Sequence, residues 1–88
     1  MEFKALLTLD LDGASAKQRE TFYDHLEKEE WEKIAKINTA WKCTFNDGAS
    51  RQDALNTCKK DVKEAARLSG ISSVKSVVQL GQGELEEF

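Results

Sequence analysis

The first thirty residues constrain the fold more than any other part of this 88-residue chain. Between Phe3 and Asp12 every odd-numbered residue is apolar, and the residues between them are polar or charged except Leu6. A period of two is typical of a strand with one buried face. We therefore predict a strand over 3–12 whose odd-numbered side chains face the core, with Leu6 on the opposite face.

A helix is predicted directly after this strand, from Ser15 to about Glu30. Ser15 and Gln18 have the spacing of a capping box, in which each side chain satisfies a backbone donor of the other residue. Phe22 and Leu26 lie four residues apart and form a narrow apolar stripe suited to one face of a sheet. The chain therefore opens with a strand followed by a helix.

The rest of the chain repeats this alternation of elements. The region 31–45 is rich in β-forming residues, and it forms either a hairpin that turns near 36–39 or one long strand. After an Asn-Asp-Gly turn, Ser50 is expected to cap a second helix that stops at Gly70. A last strand is predicted over 71–80, with Val77 on the same side as Leu6.

The resulting order is strand, helix, strand, strand, helix, strand. Two right-handed crossovers place both helices on one face of a four-stranded antiparallel sheet, which is the ferredoxin-like βαββαβ plait of the α+β class. The first and third strands are expected at the centre. We assign residues 1–83 to this single domain and 84–88 to an acidic tail.

Composition narrows the possible functions. A net charge of −3 argues against a general nucleic-acid-binding protein, and no apolar run is long enough to span a membrane. Cys43 and Cys58 are predicted to be reduced, buried thiols in a cytoplasmic protein. They do not have the spacing of a zinc site, so no cofactor is expected apart from the magnesium ion considered next.

Two carboxylates at the end of the first strand are the strongest candidates for chemistry. If the alternation extends to residue 12, Asp10 and Asp12 share one side of the strand, where carboxylates can bind Mg²⁺. Lys17 and Arg19 follow within ten residues and are the candidates for binding phosphate. The alternative is that both aspartates only solubilise the turn at Gly13.

The opening strand that ends in acids, Arg19 and Phe22 on the helix, and the run from Trp41 to Phe45 resemble a known group. The chain is similar at this level to small CRISPR-adaptation nuclease-like proteins and to ferredoxin-like ribonucleases of toxin–antitoxin systems. The resemblance implies a bacterial or phage protein with a metal-binding aspartate near a dimer axis. Asp10 is the matching position, with Asp12 as the alternate.

Three functions follow from these observations. The first is a non-enzymatic regulatory or protein-interaction domain that acts as a homodimer, with Leu6 and Val77 facing the partner. The second is a Mg²⁺-dependent endoribonuclease that uses Asp10 or Asp12. The third is an acidic inhibitor that binds a basic, nucleic-acid-binding partner through two glutamate clusters. These clusters are Glu27, Glu29, Glu30 and Glu32, and Glu84, Glu86 and Glu87.

Overall fold

The computed structural model describes residues 2–35, 37, 39–46 and 48–86. The elements along the chain are β1 (Lys4–Asp10), α1 (Ala16–Lys28), β2 (Glu32–Lys33), β3 (Ala40–Thr44), α2 (Arg51–Ser69) and β4 (Lys75–Gly81). The four strands form one antiparallel sheet in the order β2-β3-β1-β4. This confirms the βαββαβ arrangement, with β1 and β3 at the centre.

The core lies between the helices and one face of the sheet. Ala5, Leu7 and Leu9 of β1 are buried, whereas Leu6 between them is only half-buried. Leu7 lies opposite Trp41 on β3 and Val78 on β4, so the central strand joins both neighbours to the core. The predicted division of β1 into a core face and an open face is confirmed.

Both helices begin after their predicted capping residues and α2 ends at Gly70 as predicted, whereas α1 ends at Lys28, two residues before the predicted Glu30. The Ser15 side chain accepts a hydrogen bond from the Gln18 backbone N–H at 3.1 Å, and the Gln18 side chain accepts from the Ser15 N–H at 2.9 Å. Ser50 caps α2 in a similar way by accepting from the Asp53 N–H. Gly70 ends α2 with φ 74°, a left-handed conformation that glycine adopts without strain.

The region 31–45 forms a hairpin, so the alternative of one long strand is wrong. β2 has only two residues, and its Lys33 lies opposite Trp41 on β3. Ile37 precedes β3 and is 52% exposed, so it lies outside both strands of the hairpin and outside the core. The structure does not describe Lys36 and Asn38, which belong to the predicted turn.

The last strand starts four residues later than predicted. Ile71 is buried in the loop before β4, where it belongs to the same core cluster as Leu7. The segment after β4 contacts the sheet, since the carboxylate of Glu84 lies 3.1 Å from the Lys4 ammonium on β1. The first residue of the predicted acidic tail is therefore tied to β1, while residues 87 and 88 lie outside the described part.

Candidate functional site

Asp10 and Asp12 do not share one face of a strand. β1 ends at Asp10, which lies opposite Lys75, and Asp12 lies in the following turn. The expectation from alternation is wrong here because the strand stops two residues earlier than predicted. Asp10 lines one surface depression with Arg19, whereas Asp12 lines another beside Gln18. In the described ranges no three or more His, Cys, Asp or Glu side chains are grouped so that they could hold a metal ion.

The depression beside Asp10 combines opposite charges. Its volume is about 330 Å³, and both Arg19 from α1 and Lys33 from β2 contribute to its wall. Lys17 is exposed on the first turn of α1 and is not among the residues that line this depression. Arg19 is therefore better placed than Lys17 to act together with Asp10.

A second depression continues along α1, and we call it the α1 groove. It has a volume of about 420 Å³ and lies between α1 and the β2–β3 hairpin. The residues that line it are Ala16, Arg19, Glu20, Tyr23, Asp24, Glu27, Lys33 and Trp41.

Aromatic rings and a cation meet in the α1 groove. The rings of Tyr23 and Trp41 are tilted by 38°, with centroids 5.4 Å apart. The Lys33 ammonium lies over the Tyr23 ring, 5.4 Å from its centroid, which is within the range of a cation–π interaction. The Trp41 side chain is buried, and its Nε1–H finds no hydrogen-bond acceptor among the described residues.

Sequence reasoning missed a buried carboxylate on α2. Asp61 is 6% exposed, and it accepts a hydrogen bond of 2.9 Å from the indole N–H of Trp31. Burial raises the pKa of Asp61 above its ordinary value, and the Trp31 hydrogen bond offsets part of this change. The burial of Asp61 could have been predicted from its spacing, because it follows Cys58 by three residues and so falls on the apolar stripe of the helix.

Both cysteines are free thiols of low reactivity. Cys58 is buried as predicted, whereas Cys43 is only half-buried, so the prediction of two buried thiols is wrong for Cys43. Burial raises the pKa of Cys43 to about 11, with the Asp61 carboxylate adding to the effect. Burial likewise raises the pKa of Cys58 to about 12. Because the thiolate is the nucleophilic form, neither side chain is activated near neutral pH.

The open face of the sheet carries the two residues expected to face a partner. Leu6 is half-buried and Val77 is 70% exposed. Leu6 lies opposite Gln79 and Thr8 lies opposite Val77, so the two apolar side chains are diagonal neighbours on this face. Lys42 is also on this face, opposite Leu6 on the β3 side, so the apolar area is small.

Comparisons with known proteins give a fold and no function. No family model matches the chain, and no curated protein matches it. The chain is similar to the crystal structure of protein SP2199 from Streptococcus pneumoniae, with a TM-score of 0.56 and 13% identity. The likeness covers 97% of this chain and 90% of that protein. At this identity it shows a shared fold alone.

Neither α1 nor α2 has the length and apolar character that a membrane-spanning helix requires.

Proposed function

We propose that this chain is a non-enzymatic regulatory domain for protein interaction, which works as a homodimer in the cytoplasm. One observation carries the proposal: β4 lies at an outer edge of the sheet and runs for seven residues. Its Val77 is 70% exposed. A long edge strand offers a row of backbone donors and acceptors with which another strand can pair.

The other edge of the sheet differs in length and charge. β2 has two residues, Glu32 and Lys33, and both are charged and exposed. Short and charged strands are a common protection of a sheet edge against pairing. In β4, Lys75 is the only charged residue. The contrast supports pairing through β4.

A second copy of the chain suits the β4 edge better than an unrelated strand. In an antiparallel pair related by a two-fold axis at Val78, Val77 of one copy lies opposite Gln79 of the other, on the same face. Lys75 starts the strand, while Glu84 and Glu86 follow its end. Antiparallel pairing therefore brings the basic end of each strand toward the acidic end of its partner.

The oligomeric state tests this proposal. Multi-angle light scattering at micromolar concentration should give twice the 9.9 kDa mass of one chain. Val77→Lys should give a monomer, because it places two like charges at diagonal positions across the two-fold axis, and a charged lysine on an edge strand opposes pairing. Ile37→Lys is the control, since it also places a lysine at an exposed aliphatic residue but outside β4. A wild-type mass near 9.9 kDa would overturn the proposal.

A second candidate is the Mg²⁺-dependent endoribonuclease implied by the family resemblance. It is supported by the depression that Asp10 shares with Arg19 and Lys33, because phosphoryl chemistry needs a carboxylate near cations that bind phosphate. Incubation of the protein with RNA, with and without Mg²⁺, tests it. If a Mg²⁺-dependent cleavage is found and Asp10→Asn abolishes it while the fold is retained, the ribonuclease replaces the interaction domain as the conclusion.

A further inference from the structure

We propose that the α1 groove binds a basic peptide segment of a partner protein, with a Lys or Arg side chain over the Tyr23 ring in the place of Lys33. This inference is independent of the β4 pairing. The groove lies beside β2, and β4 is at the opposite edge of the sheet.

The Tyr23 ring already accepts a cation from within the chain. The Lys33 ammonium stands 5.4 Å from the ring centroid, while Trp41 packs beside the ring at 5.4 Å. The half-buried Tyr23 ring presents a face that attracts ammonium and guanidinium groups, and the buried Trp41 ring packs against it. The internal lysine therefore shows which ligand chemistry the site accepts.

Lys33 is a cation that a partner can displace. It is exposed, and it belongs to a strand of two residues that pairs with β3 alone. An exposed lysine keeps much of its rotamer freedom, so its contact with a ring is weak. A peptide that carries several cations can therefore displace Lys33 from the ring with little loss of free energy.

The groove carries three carboxylates against two cations, Arg19 and Lys33, and displacement of Lys33 leaves a more acidic lining that favours a basic peptide. Glu20, Asp24 and Glu27 lie at i, i+4 and i+7 on α1, so they form one row along the groove. All three are exposed, and none of them forms a salt bridge within the described residues. The row extends over about 10 Å of helix, so it can meet several cations of one extended segment.

The test uses a blocked penta-arginine peptide as the probe, with a blocked penta-glutamate peptide for comparison. Isothermal titration of the full chain should show binding of the first peptide and none of the second. Tyr23→Leu should weaken binding about tenfold, because it removes the ring and keeps a similar volume. Tyr23→Phe should bind like the wild type, since the ring is retained.

Lys33 provides the sharper variant because its loss should strengthen binding. Lys33→Gln removes the internal competitor, and we expect the affinity for penta-arginine to rise about threefold or more. Lys63→Gln on α2 is the matched control, which removes one exposed lysine that does not line the groove and should change the affinity little. If the two lysine variants changed the affinity equally, the net charge of the protein would explain the change, and the proposal would be overturned.

Two further readouts locate the peptide. Amide chemical-shift changes should cluster on α1 and β2, and changes confined to the acidic residues after β4 would overturn the proposal. Light scattering of Tyr23→Leu should give the wild-type mass. If this variant instead lost a dimer, the occupant of the groove would be a second copy of the chain and the proposal would be wrong.

Discussion

The two faces of the sheet differ in what covers them, although β1 contributes alternate residues to both. The face toward the helices buries Ala5, Leu7 and Leu9, while the opposite face leaves Leu6 half-buried and Val77 70% exposed. The core-facing residues of β1 thus stabilise the fold, while its residues on the open face remain available for contact with a partner. Residues adjacent in sequence therefore have different roles in this fold, and substitutions on each face test this difference.

The largest effect is expected on the helix-facing side. Leu9→Ala should lower the free energy of unfolding by about 2–5 kcal/mol, because a buried leucine is replaced by a cavity. Urea denaturation followed by circular dichroism measures the change. A loss below about 1 kcal/mol would mean that the two faces are not different in the way described.

A smaller loss is expected at the buried polar contact on the same side. Asp61→Leu removes the acceptor of the Trp31 N–H and leaves a buried donor unpaired, which costs about 1–3 kcal/mol. Asp61→Asn keeps an oxygen acceptor and serves as the control. If both variants were equally unstable in urea denaturation, the hydrogen bond would not be the reason for the loss.

The pH dependence of Asp61 follows from the raised pKa of its carboxyl group. The native carboxyl holds its proton to a higher pH than the unfolded one, whose ordinary pKa is 3.8, so the native state binds more protons between the two values. This contribution to the free energy of unfolding is therefore present below pH 3.8 and falls as the pH rises through the native pKa.

Comparison with Asp61→Asn isolates this contribution, because the two thiols whose pKa depends on the Asp61 carboxylate titrate only at about pH 11 and 12. Urea denaturation over a pH series should give the wild type and Asp61→Asn equal free energies of unfolding below pH 3.8. Above the native pKa of Asp61, Asp61→Asn should be more stable than the wild type. A difference that did not change with pH would contradict the raised pKa.

The smallest effect is expected on the open face. Leu6→Ala should cost roughly 0.5–1.5 kcal/mol in the monomer, since a half-buried leucine loses less contact than a buried one. The measurement is urea denaturation at a concentration where light scattering shows one chain. A loss as large as that of Leu9→Ala would show that the second face is covered as fully as the first.

Much of the fold is predictable from the sequence because its signals are local. The capping box of Ser15 and Gln18, the left-handed stop at Gly70 and the period-two pattern of β1 each depend on neighbours a few residues away. The strand ends were less predictable. β1 stops at Asp10 and β4 starts at Lys75, because a strand extends only as far as its partner pairs with it.

The candidate site was harder to predict than the fold. The sequence singled out Asp10 and Arg19 but paired Asp10 with Asp12, because proximity along the chain was the only available guide. The α1 groove brings Tyr23 together with Lys33 and Trp41, which lie 10 and 18 residues further along the chain. No spacing rule connects these residues.

The sequence by itself determined the order of the elements, their capping and which side of β1 enters the core, since each depends on backbone geometry over a few residues. The tertiary structure decided where Trp31 meets Asp61 and where Lys33 meets Tyr23. These outcomes depend on how the hairpin and the helices pack, because long-range contacts are set by the burial of the whole core and not by any one segment.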